Sequence, residues 1–331
     1  MKKVIAILLC MLLLLSLTAC GEDVEKAFNS LTKKPEQDQA AAQPETTDKV
    51  SAEPAEPAAE PAEPEASQKE EAPAAQTGST FDEPITVEDN EACLIQITGA
   101  GLDEWGDYTL DVYMENRSAD TTYMFAVDTA AVDGLEIDPF FASELAPSKK
   151  SNETISFSGS DLADAGITEP SDILMHFRVY DSNNWDADAV VDFWGNFYPQ
   201  GEENATVFER PAQSTDQVLV DNEFCTIVVT GFEMDEFWGY TANLYLVNKT
   251  DTTLMFSADD VSVNGFMLDP FFATTVAPQC AKFSSMSWDE EELQENGIEQ
   301  VSEIEFTFTV YDDENWDAED LLNEVFTISV N

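Results

Sequence analysis

Acidic and amide side chains recur around one predicted hairpin in each half of the chain, and their chemistry suits a hard cation. Ca²⁺ takes about six to eight oxygen ligands, which a loop rich in carboxylates can supply. The spacing differs from that of an EF-hand loop, and Asp and Asn are also common turn formers. Calcium binding and turn formation are therefore both open for these residues, which are Asp181, Asn184, Asp186 and Asp188 in the first half and Asp312, Asn315, Asp317 and Glu319 in the second.

Aromatic residues form a second candidate site. Adjacent residues in an extended chain point to opposite faces, so in one interpretation one member of each Phe-Phe pair faces solvent and anchors a partner. A tryptophan beside carboxylates also suits the hydroxyl groups of a sugar. We favour the alternative in which these rings close the end of a β-sandwich or fill its core. The candidate partner-binding residues are Phe140, Phe141, Phe271, Phe272, Trp105 and Trp238.

Residues that would support catalysis are scarce. His176 is the only histidine, and Thr307 occupies the equivalent position in the second half. A Ser-His-Asp arrangement would need two further residues that no spacing nominates. The sequence has no Cys-x-x-Cys pair for zinc. We therefore expect a protein that is not an enzyme and has no required cofactor.

One long segment occurs twice, about 131 residues apart. Asp-Pro-Phe-Phe-Ala at 138–142 returns at 269–273, and Val-Tyr-Asp at 179–181 returns at 310–312. Each copy is large enough to bury its own core, so the repeat is one domain used twice and not a solenoid unit. The sequence predicts domain 1 over 81–207 and domain 2 over 208–331.

Strands are predicted by alternating apolar residues. Cys93, Ile95 and Ile97 alternate with polar residues, and the second copy keeps this pattern over 225–229. A period of two is typical of a strand with one buried face.

Turns and helices complete each copy. Asp-Gly at 133–134 and Asn-Gly at 264–265 predict hairpins, because both turn residues need positive φ. Short helices are predicted over 160–165 and 288–296, each ended by a glycine. Roughly seven to eight strands per copy predict an antiparallel β-sandwich.

Four short motifs of the second copy occur together in a known family. They are Asn-Lys-Thr-Asp at 248–251, Val-Ser-Val-Asn-Gly at 261–265, Asp-Pro-Phe-Phe at 269–272 and Val-Ala-Pro at 276–278. They resemble the immunoglobulin-like domains of uncharacterised lipoproteins from Gram-positive anaerobes, and the first copy carries the pattern less cleanly. The resemblance implies two tandem immunoglobulin-like antiparallel β-sandwiches, each with one short helix, and it assigns no functional residue.

The N-terminal residues have the features of an export signal. Two lysines precede an apolar run over 4–17, which is too short to span a bilayer comfortably. Leu-Thr-Ala-Cys-Gly at 17–21 resembles the lipobox of bacterial lipoproteins. The resemblance implies cleavage directly before Cys20 and acylation of Cys20. Several acyl chains give stable anchoring. An ordinary secretory signal is the alternative for residues 1–20.

Residues 21–80 are predicted to be a disordered tether. They are rich in Glu, Pro and Ala and contain few large apolar residues, so they cannot offset the entropy of ordering.

The charge and the cysteines limit the partners and the compartment. The net charge is −53, and residues 81–331 contain 53 acidic against 7 basic residues. Such a field repels nucleic acid and other polyanions. Cys93 and Cys225 are equivalent positions, and Cys280 is replaced by Lys149 in the first copy, so the copies share no disulfide pattern. We expect a fold that is stable without disulfides.

The sequence therefore predicts a lipid-anchored protein on the extracellular face of the cell membrane with a non-catalytic binding or display role. Its expected partners are the membrane, through Cys20, and an extracellular protein or glycan. Two alternatives stay open: capture of cations or solutes by the carboxylate-rich hairpins, and a carbohydrate-binding module.

Overall fold

The computed structural model describes residues 79–184, 186–315 and 317–330. These residues form sheets whose strands pair almost entirely antiparallel, with two short α-helices, so the predicted all-β fold class is confirmed. They belong to one compact unit, Glu70–Asn331. The predicted signal peptide, Cys20, the predicted tether up to residue 78, Trp185 and Trp316 lie outside the described residues.

Nine strands and one helix form each copy of the repeat. Sandwich 1 consists of β1 (Ser79–Asp89), β2 (Cys93–Leu102), β3 (Tyr108–Asn116), β4 (Tyr123–Val132), β5 (Leu135–Glu136), β6 (Phe141–Leu145), β7 (Lys150–Phe157), α1 (Gly159–Asp164), β8 (Ile173–Asp181) and β9 (Val191–Phe197). Sandwich 2 consists of β10 (Gln217–Asp221), β11 (Cys225–Asp235), β12 (Gly239–Asn248), β13 (Leu254–Val263), β14 (Phe266–Met267), β15 (Ala273–Val276), β16 (Ala281–Trp288), α2 (Glu290–Glu295), β17 (Glu303–Asp312) and β18 (Leu322–Ser329).

The strand order identifies the architecture. In sandwich 1, the sheet β1-β2-β3-β7 faces a sheet in which β4 pairs with β5, β6 and β8, and β8 pairs with β9. The order β2-β3-β7 over β6-β4-β8-β9 matches the A-B-E and C′-C-F-G order of an immunoglobulin-like sandwich. Sandwich 2 repeats it as β11-β12-β16 over β15-β13-β17-β18.

The core of each sandwich lies between its two sheets. Cys93, Ile95 and Ile97 are buried in sandwich 1, as their alternation predicts, and their counterparts over 225–229 are buried in sandwich 2. Full burial of an Ile or Val side chain contributes about 1.5–3 kcal/mol. The alternating residues therefore stabilise the sheets as the sequence indicates.

The predicted hairpin turns are confirmed. Asp133 and Gly134 have φ angles of 51° and 79°, and Asn264 and Gly265 have 51° and 82°. Positive φ at both positions is the type I′ geometry that matches the twist of the flanking strands.

The helices are present, but the second begins later than predicted. Helix α2 begins at Glu290, and the Asp289 carboxylate caps it by accepting the N–H groups of Glu291 and Glu292. Trp288 lies at the end of β16, where it is buried and donates its indole N–H to the carbonyl of Leu268. In the part of the chain that the structure describes, no helix has the length and apolar character needed to cross a bilayer.

A buried asparagine joins three loops in each sandwich. The Asn248 side-chain amide donates to the carbonyls of Thr252, Val276 and Ala277, and its oxygen accepts the N–H of Thr250. Asn116 makes the equivalent bonds in sandwich 1. Both asparagines are almost fully buried, so they satisfy backbone groups that burial would otherwise leave unpaired.

The two sandwiches share one sheet. Strand β5 of sandwich 1 pairs in parallel with β16 of sandwich 2 through Leu135 and Ala281, so eight strands follow one another from β10 to β9. The segment between β9 and β10 contains many polar residues, but Phe208 packs there against Tyr245 and Phe283. The connection is therefore a packed interface.

Candidate functional site

Three exposed aromatic rings meet at one end of sandwich 2. Phe237, Trp238 and Phe271, here called the aromatic cluster, are 82%, 51% and 75% exposed. The rings of Trp238 and Phe271 stack with centroids 5.5 Å apart and planes 13° apart, and Phe237 meets Trp238 edge-on at 4.8 Å. Large apolar side chains held together in solvent mark a surface that is suited to binding.

A tight turn holds two of these rings. Strand β11 ends at Asp235, whose carboxylate accepts the N–H groups of Phe237 at 2.7 Å and Trp238 at 2.8 Å. These two bonds lower the pKa of Asp235. Gly239 follows with a φ of 77°, and a Cβ there would lie 2.3 Å from the Trp288 carbonyl oxygen. Only glycine fits this position, so β11, the turn and β12 fix the backbone that carries both rings.

The backbone on both sides of the third ring is also fixed. The Phe271 N–H donates to the Ser287 carbonyl in β16 at 2.8 Å. The next residue, Phe272, is half-buried and packs against Phe308 with ring centroids 5.6 Å apart. Phe272 therefore packs against the core, while the adjacent Phe271 stacks on Trp238.

Sandwich 1 presents related rings without the stack. Asp103 accepts the N–H groups of Trp105 and Asp107, which leaves Trp105 exposed at the tip of its turn. Phe140 is fully exposed with a φ of 46°, a left-handed conformation that is unusual for a bulky residue. Phe141 is half-buried and packs against the core of sandwich 1.

The favoured core interpretation was wrong for four of the six predicted aromatic residues. Trp105, Trp238, Phe140 and Phe271 are exposed: both tryptophans lie in turns between strands, and both phenylalanines lie in the segments that precede β6 and β15. Phe140 and Phe271 are the exposed members of their pairs, which is the alternative that we did not favour. Phe141 and Phe272 are the half-buried members of the pairs, and each packs against the core of its own sandwich.

Sequence reasoning missed Phe237 and a cleft beside the same hairpin. The cleft has a volume of about 1240 Å³ and is lined by Phe232, Met234, Tyr240 and Leu293, among others. The Tyr240 hydroxyl is buried with no hydrogen-bond partner among the described residues, and burial raises its pKa to about 12. The signal for Phe237 was available in the sequence, because Asp235 two residues earlier is the pattern of a turn with an exposed tip.

The carboxylates of the predicted calcium hairpins are engaged in turns or exposed. Asp181 accepts the N–H of Asn183, and Asp312 accepts the N–H of Glu314. The remaining candidates, Asp186, Asp188, Asp317 and Glu319, are exposed. Within residues 79–184, 186–315 and 317–330, no group of three His, Cys, Asp or Glu side chains is arranged to hold a metal ion. Calcium binding stays a prediction, which a melting-temperature measurement with millimolar Ca²⁺ would test.

The single histidine lies on an outer sheet face, as predicted. His176 contacts the Asp192 carboxylate at 2.8 Å and stacks on Trp194 with ring centroids 4.7 Å apart. His176 on β8 and Trp194 on β9 are cross-strand partners, so packing within the sheet accounts for the position of His176.

Comparisons with known proteins identify no family. No protein-family model and no curated protein sequence matches the chain. Three solved structures show distant likeness: a red sea bream transglutaminase (11% identity, TM-score 0.20), the YadV chaperone (12%, 0.22) and the Salmonella enterica SafA pilin in complex with the SafB chaperone (10%, 0.20). The matches cover 73%, 66% and 73% of this chain, and 32%, 92% and 98% of those chains, so this chain spans about a third of the transglutaminase.

Proposed function

We propose that this chain is a non-enzymatic, lipid-anchored surface protein whose sandwich 2 binds a glycan through the aromatic cluster. The observation that carries the proposal is the stack of Trp238 on Phe271 in solvent. A flat, rigid aromatic surface suits the apolar face of a sugar ring. Because the turn and the β16 bridge already fix the rings, little conformational entropy would be lost on binding.

The charge of the chain narrows the class of glycan. Acidic residues lie next to the cluster in the sequence: Asp235 and Glu236 belong to the same turn, and Asp269 comes just before the Pro-Phe pair. Carboxylates accept hydrogen bonds from sugar hydroxyls and from ammonium groups, and the net charge of −53 repels polyanions. The ligand is therefore a neutral or amino-sugar glycan.

The sequence around Cys20 supports the location. The apolar run over 4–17 and the lipobox-like residues at 17–21 suit export and acylation. A polar segment of about sixty residues would then separate the anchor from the sandwiches, with a reach on the order of 45 Å as a flexible coil. This placement makes the aromatic cluster accessible to material outside the membrane.

A glycan array followed by calorimetry tests the proposal. The mature chain with Cys20→Ser is screened against neutral, amino-sugar and anionic glycans, and hits are titrated against Trp238→Ala and Phe271→Ala. We expect each substitution to weaken binding about tenfold or more, because each removes one stacking ring. Val325→Ala is the matched control, since Val325 is an exposed apolar residue on β18.

Two results would contradict the proposal. A glycan that binds Trp238→Ala as tightly as the unmodified chain does not use the cluster. A screen in which only anionic glycans bind would contradict the charge argument. Mass spectrometry of cell-derived protein tests the anchor separately, since it should find acyl chains on Cys20.

A further inference from the structure

At the joint between the sandwiches, one strand is added to the edge of another. The added strand is β5 of sandwich 1, and the receiving strand is β16 of sandwich 2. The Ala281 N–H donates to the Gly134 carbonyl at 2.7 Å, and Lys282 pairs with Glu136 at 2.7 Å. Leu135 at the centre of the joint is only 2% exposed.

The repeat places a strand equivalent to the added strand β5 in sandwich 2. A shift of 131 residues converts Leu135 and Glu136 into Phe266 and Met267, which follow the same type of turn in β14. Phe266 is 45% exposed and Met267 is 66% exposed. Strand β14 ends its sheet on that side among the described residues, whereas β5 lies between β4 and β16.

The same shift places a strand equivalent to the receiving strand β16 in sandwich 1. Lys150 begins β7 and pairs with Glu115 of β3, as Ala281 begins β16 and pairs with Val247 of β12. Lys149 and Lys150 are exposed. Strand β7 is the last strand of its sheet in the described part of the chain, so its outer edge corresponds to the edge that receives β5 in sandwich 2.

We infer that this chain associates head to tail with a second copy of itself, with β14 of one chain beside β7 of the next. The contact repeats the internal joint, so one sheet would continue from chain to chain. An interface of this kind uses two different surfaces and propagates unless the rotation closes a ring. The chain already contains one example of the contact.

The charges on the two surfaces favour this pairing. Lys149 and Lys150 are two of the seven basic residues in 81–331. The exposed acidic residues Glu303 and Glu305 lie on β17, and β13 separates β17 from β14 in the sheet. Complementary charges steer the pairing and select its orientation, whereas the acidic remainder of each surface repels other approaches.

The contact between chains is expected to be weaker than the joint inside the chain. Phe208 of the connecting segment packs on Tyr245 and Phe283 inside the chain, and Asn152 replaces Phe283 at the equivalent place in sandwich 1. The interface therefore belongs to the small, transient class, and high protein concentrations are needed to observe it.

Disulfide trapping tests the inferred register. Two variants of the mature chain with Cys20→Ser are prepared, one with Lys150→Cys and one with Phe266→Cys, both at exposed positions. Paired strands lie about 4.8 Å apart, which is within the range of Cα separations that a disulfide spans. Mild oxidation of the mixture should give several-fold more linked dimer than either variant alone.

An internal control and a double variant sharpen the result. Leu135→Cys with Ala281→Cys in one chain should form an intrachain disulfide, which shows that the geometry permits the bond. Lys150→Cys with Phe266→Cys in one chain should give a ladder of linked multimers or a closed ring. A mixture that yields no excess dimer while the internal control forms would overturn the inference. Equal linking of Phe266→Cys alone would also overturn it, because that result indicates a symmetric contact.

Sedimentation of the chain without introduced cysteines provides a second measurement. The average mass of the Cys20→Ser chain should rise with concentration, and Phe266→Glu with Met267→Glu should abolish the rise. Val325→Glu, which adds one negative charge at an exposed position of β18, should leave the rise in place. A constant monomer mass up to the solubility limit would contradict head-to-tail association.

Discussion

Trp238 and Phe271 stack with their ring planes 13° apart, although they lie in different loops of sandwich 2. One ring is fixed by a carboxylate-capped turn and the other by a backbone bridge to β16. The stack therefore depends on two independent local structures, and its energy can be measured separately from either.

A double-mutant cycle measures the coupling between the rings. Urea unfolding of the Cys20→Ser chain is compared for Trp238→Ala, Phe271→Ala and the double variant. We expect a coupling of about 0.5–1.5 kcal/mol, since stacked aromatic pairs contribute that much beyond burial. Additive effects of the two substitutions would show that the rings do not interact in solution.

Substitution of Gly239 should be far more destabilising than substitution of its counterpart Gly106. Both have positive φ, but a Cβ on Gly239 would overlap the Trp288 carbonyl at 2.3 Å, whereas a Cβ on Gly106 meets nothing within 4 Å. Gly106→Ala should cost about 1–2 kcal/mol from φ strain alone. Gly239→Ala should cost about 2 kcal/mol more. Similar unfolding free energies for the two variants would contradict the close approach.

Glu136 should make the joint more stable at mildly acidic pH. Its carboxyl group is buried, and burial raises its pKa despite the nearby Lys282. A raised folded-state pKa means that the contribution of Glu136 to stability is largest below its unfolded pKa and falls as pH rises through the folded pKa.

Denaturation at several pH values checks this sign. The unmodified chain should lose stability relative to Glu136→Gln as pH rises above about 4.5, because the glutamine does not ionise. Glu144→Gln, at an exposed position of β6, is the control for the loss of a carboxyl group. Parallel pH profiles for the chain and Glu136→Gln would contradict a raised pKa.

The three cysteines of the described residues should be unreactive in the folded protein. Cys93, Cys225 and Cys280 are free and buried, and burial raises their pKa values to about 12, 11 and 12. The thiolate is the reactive form, so both access and ionisation oppose modification. A thiol reagent should label the Cys20→Ser chain at none of these positions when folded, and at all three in guanidinium chloride. Rapid labelling of the folded protein would indicate local opening of a core.

Local features of the fold were predictable from local sequence. The Asp-Gly and Asn-Gly turns require positive φ whatever the surroundings, and the alternation of Cys93, Ile95 and Ile97 has only one way to bury its apolar face. Helix α2 was predicted too long at its start because Trp288 has no local feature that separates a strand end from a helix start. Its position depends on a hydrogen bond to Leu268.

The site was harder to predict because exposure depends on distant contacts. The sequence does not show that Phe271 bridges Ser287 or that its ring reaches Trp238. The joint between Leu135 and Ala281 likewise depends on a pairing of residues 146 positions apart. Both relationships arise from how sheets pack, which a pattern within a short window does not contain.

The sheet that passes through both sandwiches also limits how they can rotate against each other. The exposed Trp105 and Phe140 of sandwich 1 therefore keep a defined separation from the aromatic cluster of sandwich 2. If the chain binds glycans as proposed, a glycan that displays two recognition groups at a matching distance engages both surfaces at once, with the second contact formed at high effective concentration. A long repetitive polymer would then be held more tightly than a short fragment of the same chemistry.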